Sequence, residues 1–131
     1  MEALIPDERE AKFRALPVKA EAAIKTGDAV IFNGTVAEAA TTAAGRDAFT
    51  ARGVAEESAT GGAADGAIKV TVRSGTFLFT NSATDPVTLD DLGSTVFAED
   101  ARTAARTSNT NTCAALGILF DVDDAGAWVT L

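Results

Sequence analysis

The sequence predicts an all-β fold, a small barrel or sandwich, and three observations lead to this prediction. Short apolar segments rich in Val, Ile, Phe and Thr are separated by Gly, Asp and Asn. Residues 67–73 alternate apolar and polar side chains, as a half-buried strand does. Asn33-Gly34 follows the apolar run 29–32, and this dipeptide is a strong hairpin signal. Strands this short, divided by turn residues, are typical of barrels and sandwiches.

The strand pattern recurs along most of the chain. It is found at residues 28–32, 49–55, 67–73, 76–80, 94–98, 113–120 and 127–131. The small residues 37–45 predict a loop, and the Gly-rich stretch 61–66 and Asp85-Pro86 predict turns.

The chain also repeats itself weakly. Residues 27–32, 52–57 and 66–70 resemble residues 93–97, 116–121 and 126–130, in the same order and offset by 66, 64 and 60 residues. This predicts two similar hairpin-rich halves that close against each other, because neither half buries its apolar face alone. Gly53 and Gly117 are predicted to allow a bulge or a close backbone approach. Chance similarity in an Ala- and Gly-rich chain is the alternative.

The N-terminal residues differ from the rest, which predicts an arm over 1–17 and a β domain over 18–131. Pro6 and Pro17 bracket a charged segment in which Asp7 is a candidate cap for one or two helical turns. A helix this short is not stable alone. Two interpretations therefore stay open, a frayed tail and an arm that orders on a partner.

In the second interpretation the arm carries the candidate interface residues. These are Leu4, Ile5, Phe13 and Leu16. Such side chains must bury apolar area on a partner or an adjacent copy to offset the entropy of ordering.

Charge and cysteine content exclude several function classes. The net charge is −8, and the eleven basic residues are scattered, so nucleic acid is not an expected partner. The single cysteine, Cys113, stands in an apolar run and is predicted to be a small buried residue. No signal peptide or membrane span is predicted, so we expect synthesis in a cytoplasm and no membrane partner.

No residue pattern predicts catalysis, a metal or a cofactor. The chain has no histidine to serve as a general base or ligand. Residues 121–126 resemble the start of a calcium loop, but Ala125 stands where an oxygen ligand is needed, so they predict an acidic turn. Asp90-Asp91 and Glu99-Asp100 are adjacent pairs whose side chains point to opposite faces in a strand. We expect a protein that is not an enzyme.

The modest core predicts a dependence on partners. Much of the apolar content is alanine, which buries little area. A domain of this length buries only about two-thirds of its unfolded surface. Stability is therefore expected to depend in part on self-association or on binding.

Five ordered elements carry a family resemblance. They are Gly27-Asp-Ala-Val, Arg52-Gly53-Val-Ala-Glu-Glu, Val72-Arg-Ser-Gly75-Thr-Phe, Leu92-Gly-Ser-Thr-Val-Phe-Ala-Glu-Asp and Leu116-Gly117-Ile. Over residues 18–131 the chain resembles the capsid decoration, or cement, proteins of tailed bacteriophages. The resemblance implies a β-barrel or β-tulip-like domain on the outer surface of the virion, made in the host bacterial cytoplasm. It also implies binding at capsomer junctions, with the major capsid protein and the chain itself as partners, as a trimer or alternatively a dimer.

The alternative from another class is a non-catalytic β-rich binding module of a phage tail or spike, for carbohydrate or protein. Carbohydrate binding requires exposed aromatic side chains on one face. The sequence has one Trp, no Tyr and seven Phe, which stand mostly in core-like alternation. This pattern favours the decoration protein.

Overall fold

The computed structural model describes residues 12–131, which form twelve β-strands and two single turns of 3-10 helix. The strands are β1 (Phe13–Pro17), β2 (Ala23–Ile24), β3 (Ala29–Phe32), β4 (Ala37–Ala39), β5 (Thr50–Ala55), β6 (Ala59–Thr60), β7 (Lys69–Arg73), β8 (Thr76–Asn81), β9 (Thr95–Asp100), β10 (Thr103–Ala105), β11 (Ala114–Asp123) and β12 (Gly126–Thr130). The 3-10 turns are Arg46–Ala48 and Leu89–Asp91. The predicted all-β barrel fold is confirmed.

The second half of the chain forms a closed five-stranded barrel. Its strand order is β8–β12–β11–β9–β10, with antiparallel neighbours throughout. Parallel pairing of Thr103 in β10 with Thr80 in β8 closes the ring. Alternate side chains point inward, as a strand's period of two requires. They fill the barrel with a buried cluster that includes Phe79, Leu116 and Leu119.

The first half repeats this arrangement. Its strand order is β1–β7–β5–β3–β4, again with antiparallel neighbours. Val18, directly after β1, forms a parallel bridge to Ala37 in β4 and so closes the ring. A separate buried cluster that includes Leu16, Val30 and Val70 fills it. The predicted two similar halves are therefore confirmed as two barrels of the same strand order.

The two barrels are joined through a shared layer. β5 and β11 pair in parallel where Thr50 meets Ala115. Ile31 and Val54 of the first barrel pack into the cluster of the second barrel. Arg102 donates from Nε to Asp28 Oδ1 at 2.9 Å, across the junction.

Two glycines at equivalent positions of the barrels permit close strand packing. Gly53 has a φ of +145°, and a Cβ there would lie 2.6 Å from the carbonyl oxygen of Arg73. A Cβ at Gly117 would overlap the carbonyl oxygen of Thr130. The strand pairing shifts register beside each glycine, which marks a β-bulge. The predicted bulges are confirmed.

The predicted hairpin at Asn33-Gly34 is also confirmed, and it places β4 beside β3. Asn33 Oδ1 accepts from the backbone N–H groups of Thr35 and Val36, both at 2.9 Å. The loop predicted over 37–45 is wrong for residues 37–39, which form β4. Small alanine side chains gave no strand signal there, and the backbone pairing with β3 decides the structure.

The predicted N-terminal arm is wrong for residues 13–17. These residues form β1, which pairs with β7 from Phe13 opposite Arg73 to Pro17 opposite Lys69. Phe13 and Leu16 therefore do not lie on helical turns, and Leu16 is a core residue, only 6% exposed. The barrel domain begins at Phe13 and not at residue 18. Leu4, Ile5 and the candidate cap Asp7 lie outside the described residues.

Within residues 12–131 no helix has the length and apolar character needed to cross a membrane.

Candidate protein-binding face

The outer side of the second barrel presents large apolar side chains to water. β8, β12 and β11 lie side by side there, and Leu78 of β8 stands directly opposite Trp128 of β12. Ile118 of β11 stands opposite Thr130 of the same strand β12. Leu78 and Ile118 are 44% and 45% exposed. We call Leu78, Ile118, Phe120 and Trp128 the apolar face.

Phe120 lies at a β-bulge and points into the solvent. The pairing of β11 with β12 shifts register between Leu119 and Asp121, so Phe120 has no partner on β12. Successive side chains of a strand point to opposite faces, and Leu119 points inward. Phe120 is accordingly 68% exposed, while Leu119 beside it is buried.

The turn before β9 extends this face. Leu89 and Leu92 are exposed there. The backbone N–H of Gly93 donates to the carbonyl of Leu119 at 2.9 Å, which holds the turn against β11. A capping box between Thr88 and Asp91 fixes the turn further. The leucines therefore flank the apolar face on a held backbone.

Trp128 has a fixed orientation within the face. Its indole Nε1 donates to Asp123 Oδ2 at 3.0 Å, and its ring is partly buried. Asp123 also accepts the backbone N–H of Ala125 through Oδ1, at 2.9 Å. Asp124 and Ala125 thus form the tight turn between β11 and β12, within the segment where the sequence predicted an acidic turn.

Three exposed carboxylates lie at one end of the apolar face. Asp121, Asp123 and Asp124 are all exposed in or beside the β11–β12 turn. The face therefore combines an apolar centre with an acidic rim, an arrangement found at protein interfaces with an apolar core and a polar border.

A second concave feature lies at the junction of the barrels, a cavity of about 270 Å³ lined by Arg73, Arg102, Glu56 and Phe77 among others. The guanidinium of Arg73 stacks over the Phe77 ring at 5.4 Å and lies 3.5 Å from Glu56 Oε2. Arg102 is paired with Asp28. Each arginine thus has an acidic partner, so the cavity carries no excess charge for a ligand.

The structure separates the sequence-predicted interface residues. Leu16 is inside the first barrel, and Phe13 is partly exposed on β1 of the same barrel, with Lys12 Nζ 5.7 Å from its ring centre. Neither belongs to the apolar face, and Leu4 and Ile5 lie outside the described residues. Cys113 is buried as predicted, with Sγ 3.7 Å from Thr42 Oγ1.

Sequence reasoning missed the apolar face, although a signal was present. Ile118-Leu119-Phe120 is a run of three apolar residues in an antiparallel strand. Such a strand usually buries one face and exposes the other, so consecutive apolar residues imply at least one exposed apolar side chain.

Among the described residues 12–131 no group of three or more His, Cys, Asp or Glu side chains is arranged to hold a metal ion. No family model, curated protein or solved structure matches the chain.

Proposed function

We propose that this chain is a capsid decoration protein. It binds the outer surface of an assembled phage head at the junctions between capsomers and stabilises the shell without catalysing a reaction. The apolar face on the second barrel is the observation that supports this proposal most. Large apolar side chains exposed together on a rigid sheet mark an interaction surface.

The proposed partner is the major capsid protein, at a surface that is formed only when capsomers meet. The exposed carboxylates of Asp121, Asp123 and Asp124 favour a partner with an apolar centre and basic residues at its border. A protein that binds the assembled junction, and not the separate subunits, stabilises assembly by mass action. The net charge of −8 disfavours nucleic acid as a competing partner.

The size of the face favours binding by linked copies. Full burial of one large apolar side chain contributes about 1.5–3 kcal/mol, whereas association costs about 4–15 kcal/mol. The four side chains of the apolar face are already partly buried, so each contributes only part of this value, and together they at most approach the cost. One copy alone therefore binds weakly. A trimer, or alternatively a dimer, gains avidity because its second contact is intramolecular.

Co-sedimentation with purified shells tests the proposal. The wild-type chain should pellet with intact shells and remain in the supernatant with free capsid subunits. The double variant Ile118→Thr and Phe120→Ser should lose occupancy on shells, because both side chains are already exposed and their loss removes contact area without opening the core.

A matched control exists on the first barrel. Glu56 occupies the position equivalent to Phe120, three residues after Gly53 as Phe120 is after Gly117. Glu56→Gln should leave shell occupancy unchanged. Absence of wild-type binding to shells, or equal loss in both variants, would contradict the proposal.

One observation favours the alternative, a binding module of a phage tail or spike. Phe120 and Trp128 lie on neighbouring strands of one outer face, which is the aromatic exposure that carbohydrate binding requires. Titration of the protein with host surface polysaccharide, monitored by the fluorescence of Trp128, distinguishes a capsid decoration protein from a tail or spike module. Saturable quenching together with no shell binding would favour the tail or spike module.

A further inference from the structure

The apolar face also fits a second copy of the same chain. We propose that in the free protein two copies pair through this face, with β12 of one copy lying over β12 of the other and the two strands running in opposite directions. This pairing is distinct from the linked copies on a shell, which must leave the face open for the shell. It deepens the proposed function by naming what covers the same face before a shell is bound.

The exposed apolar area is large enough for a specific dimer. Five large side chains on and beside the face are 44–68% exposed, namely Leu78, Leu89, Leu92, Ile118 and Phe120. At about 200 Å² for a fully exposed large side chain, they offer roughly 500 Å² per copy. Two copies therefore bury about 1,000 Å² before the polar border is counted, which is the area that a specific interface needs.

Pairing of two identical faces also makes good use of the apolar area. A second copy brings the same apolar side chains to the contact, so two such faces leave water for a single cost of association. A partner that is polar at this place would remove only one of them from water. In a two-fold dimer the same patch meets itself, and a face with an apolar centre satisfies this requirement.

The acidic residues select the orientation of the two copies. Asp121, Asp123 and Asp124 are exposed at one end of the face, whereas Thr76 and Thr130 are exposed at the other end. A two-fold axis that runs along the strands would stack the two acidic ends, which like charges oppose. An axis that runs across the strands instead places the acidic end of each copy over the threonine end of the other. The two β12 strands are then antiparallel.

Trp128 lies in the middle of this arrangement. Along β12, Thr130 marks the threonine end, and Gly126, which pairs with Asp123, marks the acidic end. Trp128 stands midway between them, so the axis across the strands passes close to it. Its ring is held by the bond from its indole nitrogen to Asp123. The ring of one copy therefore contacts the face of the other, and its emission reports on the pairing.

The pairing competes with the proposed attachment to shells, because the same side chains serve both contacts. A shell displaces the second copy only by offering a tighter site. The free protein is then a reservoir of dimers whose apolar faces are covered, and each shell site draws copies from it by mass action. This consequence alone rests on the proposed function.

Sedimentation equilibrium of the full-length chain tests the pairing. On dilution from about 100 μM to about 1 μM, a range in which an interface of this size dissociates, the mass should fall from twice the chain mass of 13.4 kDa toward that mass. The emission of Trp128, the single tryptophan, should move to longer wavelength in step. The double variant Ile118→Thr and Phe120→Ser should remain a monomer. Its matched control, Ile68→Thr and Phe13→Ser, removes partly exposed apolar side chains from the first barrel and should dimerise as the wild type does.

Circular dichroism melting establishes that both double variants are folded. A wild type that is a monomer at about 100 μM would overturn the inference. Equal dimerisation of the two folded double variants, or equal loss of it, would overturn the inference as well.

Thr130→Lys tests the orientation. The introduced ammonium group lies near Asp123 of the other copy, twice in each dimer, so the dissociation constant should fall about fivefold at low salt. The gain should disappear at about 1 M salt, where charges are screened within a few Å. Thr60→Lys is the matched control, because it makes the same charge change at an exposed threonine of the first barrel. Equal gains in the two variants, or weaker pairing in Thr130→Lys, would contradict the antiparallel arrangement.

Failure of the inference and failure of the proposed function have different signatures. A wild type that is a monomer in solution and pellets with intact shells contradicts the pairing alone. A wild type that dimerises through the face and does not pellet with shells contradicts the proposed function alone.

Discussion

The two barrels share a strand order but differ on their outer sides. Leu78, Ile118, Phe120 and Trp128 of the second barrel have equivalents in Ala15, Val54, Glu56 and Thr71 of the first, as the pairing registers show. Val54 is buried at the junction, and the other three are small or polar. The comparison teaches that one copy of a repeated fold can present an apolar outer face while the other presents small and polar side chains at the equivalent positions.

The interiors differ as well. Phe79 in β8 is equivalent to Leu16 in β1, and Leu119 in β11 is equivalent to Ala55 in β5. At a third position the order is reversed, because Val70 of the first barrel is equivalent to Ala127 of the second. The two cores are therefore filled by different combinations of large and small side chains.

Of the changes that compare the two barrels, deletion of β1 should have the largest effect on the stability of the domain. Removal of residues 1–16 eliminates most of β1 and the buried side chain of Leu16, whose truncation alone is worth about 2–5 kcal/mol. It also leaves the backbone of β7 without its partner. We expect the first barrel to unfold and the melting temperature to fall sharply, measured by circular dichroism and calorimetry.

Deletion of residues 1–11 is the matched control. It leaves β1 intact, and the melting temperature should remain close to that of the wild type. Equal melting temperatures for the two deletions would show that β1 contributes nothing to the domain.

Substitution in the two cores should have the next largest effect. Leu119→Ala should lower the free energy of unfolding by about 2–5 kcal/mol, because it leaves a cavity in the second barrel. The reciprocal change, Ala55→Leu, should cost about 1–3 kcal/mol through overpacking, because Ala55 is buried in the core of the first barrel. Urea denaturation measures both, and a stabilising Ala55→Leu would mean that the first barrel has room for a larger side chain at this position.

The equivalent glycines should respond unequally. Gly53→Ala adds a Cβ close to Arg73 and also strains a positive φ, for which about 1–3 kcal/mol is expected from the backbone alone. Gly117→Ala causes only the overlap with Thr130. We therefore expect the larger loss in unfolding free energy at Gly53. A larger loss of unfolding free energy at Gly117 would mean that the overlap with the neighbouring strand costs more than the backbone strain at Gly53.

The strands with many buried branched side chains were predictable from the sequence. β7 alternates Val70 and Val72 with polar residues, and β8 places Phe79 inward in the same way. The repeat also predicted the two halves, because Gly53 and Gly117 are required by the same packing in both. These features depend on local pattern and steric necessity, which a sequence records directly.

The remaining features depend on tertiary pairing. β1 has one buried side chain, Leu16, so Phe13–Pro17 shows no alternation, and it is a strand only because β7 supplies its hydrogen bonds. The apolar face was not predicted because apolar residues on both sides of β11 resemble a buried strand. The bulge at Phe120 depends on the register with β12, which the sequence does not record.

Exchange of outer residues between the barrels should have the smallest effect on stability. Phe120→Glu removes a side chain that is mostly in water at a bulge, so the unfolding free energy should change by less than about 0.5 kcal/mol. Glu56→Phe removes a half-exposed ion pair with Arg73, which is worth about 0–1 kcal/mol. Binding of a hydrophobic dye should nevertheless decrease in Phe120→Glu and increase in Glu56→Phe, because the exposed aromatic area moves from one barrel to the other. Urea denaturation and dye fluorescence measure the two effects separately. A large loss of stability in Phe120→Glu would mean that this side chain supports the second barrel, and unchanged dye binding would mean that the apolar face is covered even without Phe120.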